Sequence, residues 1–291
     1  MQKANQQQSF MNNRILVIVA TGIFFILTWP AWQWLWREWM SNEYYSHGVL
    51  IPLVTIFLAV QRIRNDKNID WQKPKETILA NILSIVLIAA SLLLFLYFLD
   101  DKAFYLASMA MILLVAGLVW TFGGNPIIRV LIFPIAYLFL MIPLPFIERS
   151  TLPLAMFTGV CSGGLVQFLG LDVTIVGNSV TLPNANLVIG AQCSGVNSLI
   201  ALFALMLLVA YLFNGSLWSR VALVLLSIPI AVLGNILRVS SLLFIARLYG
   251  AEAAFIFYHD YSGPVFFILV LLLMWPLTRL LQLGNLRTEV I

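Results

Sequence analysis

Eight runs of apolar residues, each near the length that crosses a bilayer, leave this 291-residue chain few folds to choose from. About 20 apolar residues in a helix span the roughly 30 Å of hydrocarbon. In that medium only helices and closed barrels satisfy their own backbone groups. The runs are 15–36, 48–61, 77–99, 103–122, 127–145, 195–213, 218–240 and 261–283. The second is short and predicts a backward extension. With 62% hydrophobic and 10% charged residues there is no polar stretch long enough for a separate soluble domain. The expectation is therefore an all-α polytopic membrane protein, one membrane-embedded domain over 1–291. The first run lacks a small-residue cleavage site and is followed by further spans, so it reads as a retained anchor.

Two segments break this pattern. Residues 151–171 are apolar but interrupted by Gly159 and Gly163-Gly164, which predicts a re-entrant or interfacial segment. From 172 to 192 the residues are β-branched and partly alternating: Val173–Val176, Ser179–Leu182 and Leu187–Ile189. Gly177-Asn178 and Pro183-Asn184 punctuate them as turns. A small β-element outside the membrane is expected.

The basic residues set orientation. Arg62, Arg64, Lys67, Lys73 and Lys75 crowd one loop and place it in the cytoplasm. Alternation of the spans then puts eleven basic residues inside: those five with Lys3, Arg14, Arg129, Arg220, Arg279 and Arg287. The other five, Arg37, Lys102, Arg149, Arg238 and Arg247, fall outside. This holds if 151–171 does not cross. The net charge of +4 thus reads as membrane orientation and not as nucleic-acid binding. Cys193, Arg238 and both histidines, His47 and His259, share the outer face.

Cys193 lies in LVIGAQCSGVNSL, where the β-like stretch meets a helix expected to begin near Gly195. Unpaired N–H groups and the helix dipole favour a thiolate there. Gly190 and Gly195 would admit a substrate backbone. A small buried residue at a helix start is the equal alternative. Cys161, inside an apolar run, reads as structural. Two cysteines make no disulfide framework. Arg238, at the outer end of its expected span, is either a snorkelling anchor or a functional charge, and Asn235 and Ser241 share its face. Arg247 fits the anchor better. His259, in YHDYSG before the last span, and His47, in YYSHGVLIPL, could each move a proton near neutral pH. Residue chemistry alone does not separate them. No metal cluster, P-loop, dinucleotide fingerprint or carboxylate pair is present.

The order AQCSG, NILRVSSL, then an isolated histidine before the final span resembles the exosortase/archaeosortase family of membrane transpeptidases. YYSHGVLIPL and MIPLPF resemble it too, and the resemblance extends over the whole chain. It implies a cysteine peptidase with Cys193 as nucleophile, Arg238 as oxyanion or substrate ligand and His259 as proton carrier. It implies substrate-binding or accessory positions at His47, Asn235, Ser194 and Gly195, and no cofactor. The implied partners are membrane-anchored proteins ending in a short motif such as Pro-Glu-Pro, a helix and a basic tail. The implied location is the bacterial inner membrane with the site facing the periplasm. No appended soluble domain is expected after the last span. The alternative is a small transporter or channel with Arg238 and Asn235 along a polar path, although the halves show no repeat. A catalytically inactive assembly factor is a third reading, which the retained Cys, Arg and His disfavour.

Overall fold

The structure, a computed structural model, describes residues 2–66, 77–176, 179–288 and 290, with side chains from Ile15 onward except those of Ala185 and Gln192. The expected Gly177-Asn178 turn and Lys67, Lys73 and Lys75 lie outside the described residues. Among the described residues, seven helical stretches are long and apolar enough to cross a membrane, and a shorter apolar helix accompanies them. The chain is a polytopic all-α membrane protein with one small sheet. It divides into two compact units, one up to Pro143 and the other from Leu144 on, Val290 aside.

The first unit holds α1 (Gln2–Ser41), α2 (Leu50–Asn65), α3 (Ile78–Asp100) and α4 (Phe104–Tyr137). A tight 3₁₀ turn, Glu43–Val49, runs straight into α2, so the second apolar run extends backwards as expected. Thr77 caps α3, its hydroxyl accepting from the Ala80 N–H at 3.4 Å. The backbone at Gly124 (φ 74°, ψ −176°) is not helical and kinks α4. The runs 103–122 and 127–145, expected as two spans, form one stretch, Phe104–Met141, that counts as a single span. Pro126 follows the break, where a missing N–H costs least. Small residues let α3 and α4 approach: a Cβ at Gly117 would stand 2.8 Å from Ile88 Cγ1.

The second unit holds α5 (Pro145–Phe168), strands β1 (Thr174–Val176), β2 (Ser179–Leu182) and β3 (Ala185–Val188), then α6 (Val196–Leu212), α7 (Leu217–Tyr249), α8 (Ala251–Ile256) and α9 (Gly263–Leu280). The strands form an antiparallel sheet in the order β1-β2-β3. Leu182 pairs with Ala185 around the Pro183-Asn184 turn, so the third strand begins two residues earlier than its apolar residues suggest. Val180 and Leu182 are buried while Ser179 and Thr181 are exposed, the period of two that one covered face requires.

Three expectations need correction here. Gly159 and Gly163 do not interrupt 151–171: α5 is one continuous helix of 24 residues, about 36 Å long and long enough by itself to cross. These glycines serve close approach instead. A Cβ at Gly159 would stand 3.0 Å from Ile189 Cδ1, and one at Gly163 would overlap Ile175. The span expected over 218–240 continues to Tyr249, so Arg238 lies about 16 Å short of the helix end and only Arg247 occupies the last turn. The final helical stretch begins at Ala251, not at 261, and takes in His259.

Candidate functional site

Cys193 sits in a single 3₁₀ turn, Ala191–Ser194, closed by its own N–H donating to the Gly190 carbonyl at 2.9 Å. It does not open α6. Gly195 stands between them with φ 73°, a left-handed conformation that favours glycine. The helix-start argument for an activated thiolate therefore applies to Val196, three residues on. Cys193 is 9% exposed and belongs to the core that joins the sheet to α7. Gly190 faces open space. Gly195 does not, because a Cβ there would overlap Asn235. Ser194 is buried, and its hydroxyl accepts from the Val196 N–H at 3.4 Å.

Asn235 and Arg238 lie one turn apart on α7 and hold different segments. The Asn235 amide donates to the Cys193 carbonyl at 2.8 Å and to Thr158 Oγ1 on α5 at 3.4 Å. Arg238 Nε donates to Ser262 Oγ at 2.8 Å, and Nη2 to the Tyr258 carbonyl at 3.4 Å. Its guanidinium lies 4.1 Å over the Tyr258 ring, in cation–π contact. Ser262 is completed by its own donation to the Tyr258 carbonyl at 2.6 Å. Arg238 is thus bound by protein groups. Among the described residues nothing accepts from Nη1. Ser241 turns back to the Leu237 carbonyl and contributes nothing to Arg238.

His259 lies in a π-helical turn, Phe257–Ser262, between α8 and α9. Such wide turns are rare and recur at functional sites. The turn points Tyr258 and Ser262 at Arg238 and sends His259 outward. Its side chain is 74% exposed, with Nδ1 3.0 Å from Asp260 Oδ1 and the ring stacked on Phe255. Among the described residues no hydrogen bond joins Cys193 Sγ to His259 or to Arg238. The three residues are linked through backbone and neighbours, by way of α7.

His47 belongs to the first unit and to the Glu43–Val49 turn. Its ring stacks on Tyr45, and both ring nitrogens are buried with no hydrogen-bond partner among the described residues. The glycine beside it has a packing cause. A Cβ at Gly48 would overlap the Trp39 indole, whose Nε1 donates to the Met141 carbonyl at 2.9 Å. YYSHGV and Met141 are thus joined within the first unit through Trp39.

Sequence reasoning missed Thr158, Tyr258 and Ser262. Thr158 carries no signal, being one hydroxyl in an apolar run. Tyr258 and Ser262 flank His259 in YHDYSG, but only a π turn puts them on Arg238.

These features define a multi-pass helical membrane protein in which one helix ties a buried cysteine turn to a histidine-bearing turn through an asparagine and an arginine. The chain belongs to the transmembrane exosortase family, whose family model matches residues 39–276 and includes all of these positions. No curated protein and no solved structure matches it.

Proposed function

We propose that this protein is a membrane cysteine peptidase or transpeptidase. It cleaves a C-terminal sorting signal of exported proteins, composed of a short motif such as Pro-Glu-Pro, a transmembrane helix and a basic tail. The observation that carries this reading is the double grip of α7: Asn235 on the Cys193 turn and Arg238 on the turn that holds His259. Family membership supports the reaction class.

In the proposed reaction Cys193 Sγ, as thiolate, attacks the scissile carbonyl. The C–N bond breaks, a thioester forms and the amine leaves with a proton from His259. Asp260, 3.0 Å from Nδ1, would hold the tautomer that leaves Nε2 to exchange that proton. Arg238 Nη1, from which no protein group accepts among the described residues, would donate to the developing oxyanion. Water or an acceptor amine then gives a proton to His259 and attacks the thioester; the C–S bond breaks and Cys193 leaves as thiolate. His259 is exposed, and catalytic hydrogen bonds often tighten only once substrate is bound.

The substrate's basic tail would stay in the cytoplasm while its motif meets the enzyme at the periplasmic face of the inner membrane. The deciding experiment is the processed fraction of an epitope-tagged protein ending in motif, helix and basic tail, at equal enzyme levels. Cys193→Ala abolishes processing, whereas Cys161→Ala retains most of it. An active Cys193→Ala enzyme would sink the covalent reading.

A further inference from the structure

We infer that Asn235 is a positioning residue: with Thr158 and Gly195 it clamps the Cys193 turn from its C-terminal side and fixes where the thiol stands. The inference rests on the reading of Cys193 as nucleophile. The turn has little to hold it in place. It spans four residues, and a glycine stands at each end, Gly190 before it and Gly195 after it. The Cys193 carbonyl takes its hydrogen bond from another helix, at 2.8 Å from Asn235 Nδ2.

That amide is itself held on two further sides. Its second N–H donates to Thr158 Oγ1 at 3.4 Å, and Thr158 is fully buried on α5. One turn further along α5, Ser162 Oγ donates to the Ile236 carbonyl at 3.0 Å, which fixes α5 against α7 at the level of the clamp. On the third side Asn235 meets Gly195 so closely that a Cβ there would stand 2.7 Å from Oδ1. The left-handed turn and the missing Cβ at Gly195 thus serve one contact.

The accounting of donors separates positioning from substrate binding. A side-chain amide has two N–H groups. Cys193 and Thr158 take both, so neither is left for a substrate. Oδ1 is buried with no partner among the described residues, a cost accepted where the NH₂ group is the useful part. Asn235 is 6% exposed.

The test uses the full-length protein in membranes and the two cysteines as paired reporters. N-ethylmaleimide labelling of Cys193 is compared with that of Cys161, which is free and lies on α5 beside Thr158. Loss of one neutral hydrogen bond to a local turn should raise its opening about 2- to 10-fold. Asn235→Ala is therefore expected to speed Cys193 labelling by that factor relative to Cys161. It should also lower kcat by about tenfold or more at unchanged KM, since the thiol no longer stands in place. Thr158→Val, which removes the second partner of the amide, shifts both readouts the same way by less, and serves if Asn235→Ala does not accumulate. An unchanged labelling ratio in both variants overturns the clamp. So does a rise of both cysteines together, which would mean general loosening. A raised KM with kcat retained would mean that the amide contacts substrate, and also overturns it. An active Cys193→Ala enzyme would refute the nucleophile reading alone, because the labelling ratio judges the clamp without any processing.

Discussion

The two units each carry a histidine in a helical turn that is not α, tight 3₁₀ in the first and wide π in the second, and the turns differ in almost every physical respect. His47 is half-buried and stacked on Tyr45, and neither ring nitrogen has a hydrogen-bond partner among the described residues. His259 is exposed, paired with Asp260, and two positions in its π turn bind Arg238. A proton carrier needs a route for its proton and a partner to hold its tautomer. His259 has both. His47 has the surroundings of a packing residue. Similar local sequences, each with tyrosines, a histidine and a nearby glycine, thus come to opposite environments.

The sharpest way to break this comparison is to remove each imidazole. His259→Ala should cost about 10²–10⁴ in processing rate, the usual contribution of a positioned acid or base. His47→Phe keeps an aromatic ring against Tyr45 and should retain most activity. Equal losses in the two variants, measured as processed fraction at matched enzyme levels, would erase the distinction.

A second test concerns the charge that grips the π turn. Arg238→Lys should lose about 10²–10³ in rate. An ammonium cannot at once donate to Ser262, lie flat on Tyr258 and keep a donor free, as the planar guanidinium does. Arg247→Lys, at the helix end, should process normally. A fully active Arg238→Lys enzyme would return Arg238 to an anchoring role.

The next effect falls on stability in the first unit. Gly48→Ala places a methyl into the Trp39 indole and should destabilise by about 1–3 kcal/mol. Thermal unfolding in detergent would show it as a lowered Tm, and an unchanged Tm would mean that Trp39 yields at little cost. The smallest effect is expected from Asn184→Ala in the second unit. Asn184 Nδ2 donates to the Ala246 and Arg247 carbonyls at 3.1 and 3.0 Å, tying the β2–β3 turn to the end of α7. Its loss should cost about 1 kcal/mol. Limited proteolysis within the sheet, faster than in the parent, would report it.

The sequence by itself determined the membrane class, the helical runs and the small sheet. Each of these follows from local rules: apolar length for a span, alternation for a strand, glycine and proline for a turn. It also marked Cys193, Arg238 and His259 by order and family resemblance. Helix ends were less legible, because an apolar count stops at a polar residue while a helix need not. Arg238 looked terminal for that reason, yet α7 continues for three more turns and supplies the charge with partners. The glycines of 151–171 misled in the same way. In a lone helix they are breakers, but against Ile189 and Ile175 they make room for close packing. What only the tertiary structure decided is how the site residues are held. Thr158, Asn235 and Gly195 stand far apart in sequence, and their contact has no local pattern to betray it. The π turn is equally hidden, since its one extra residue per turn changes which side chains face Arg238 without altering composition.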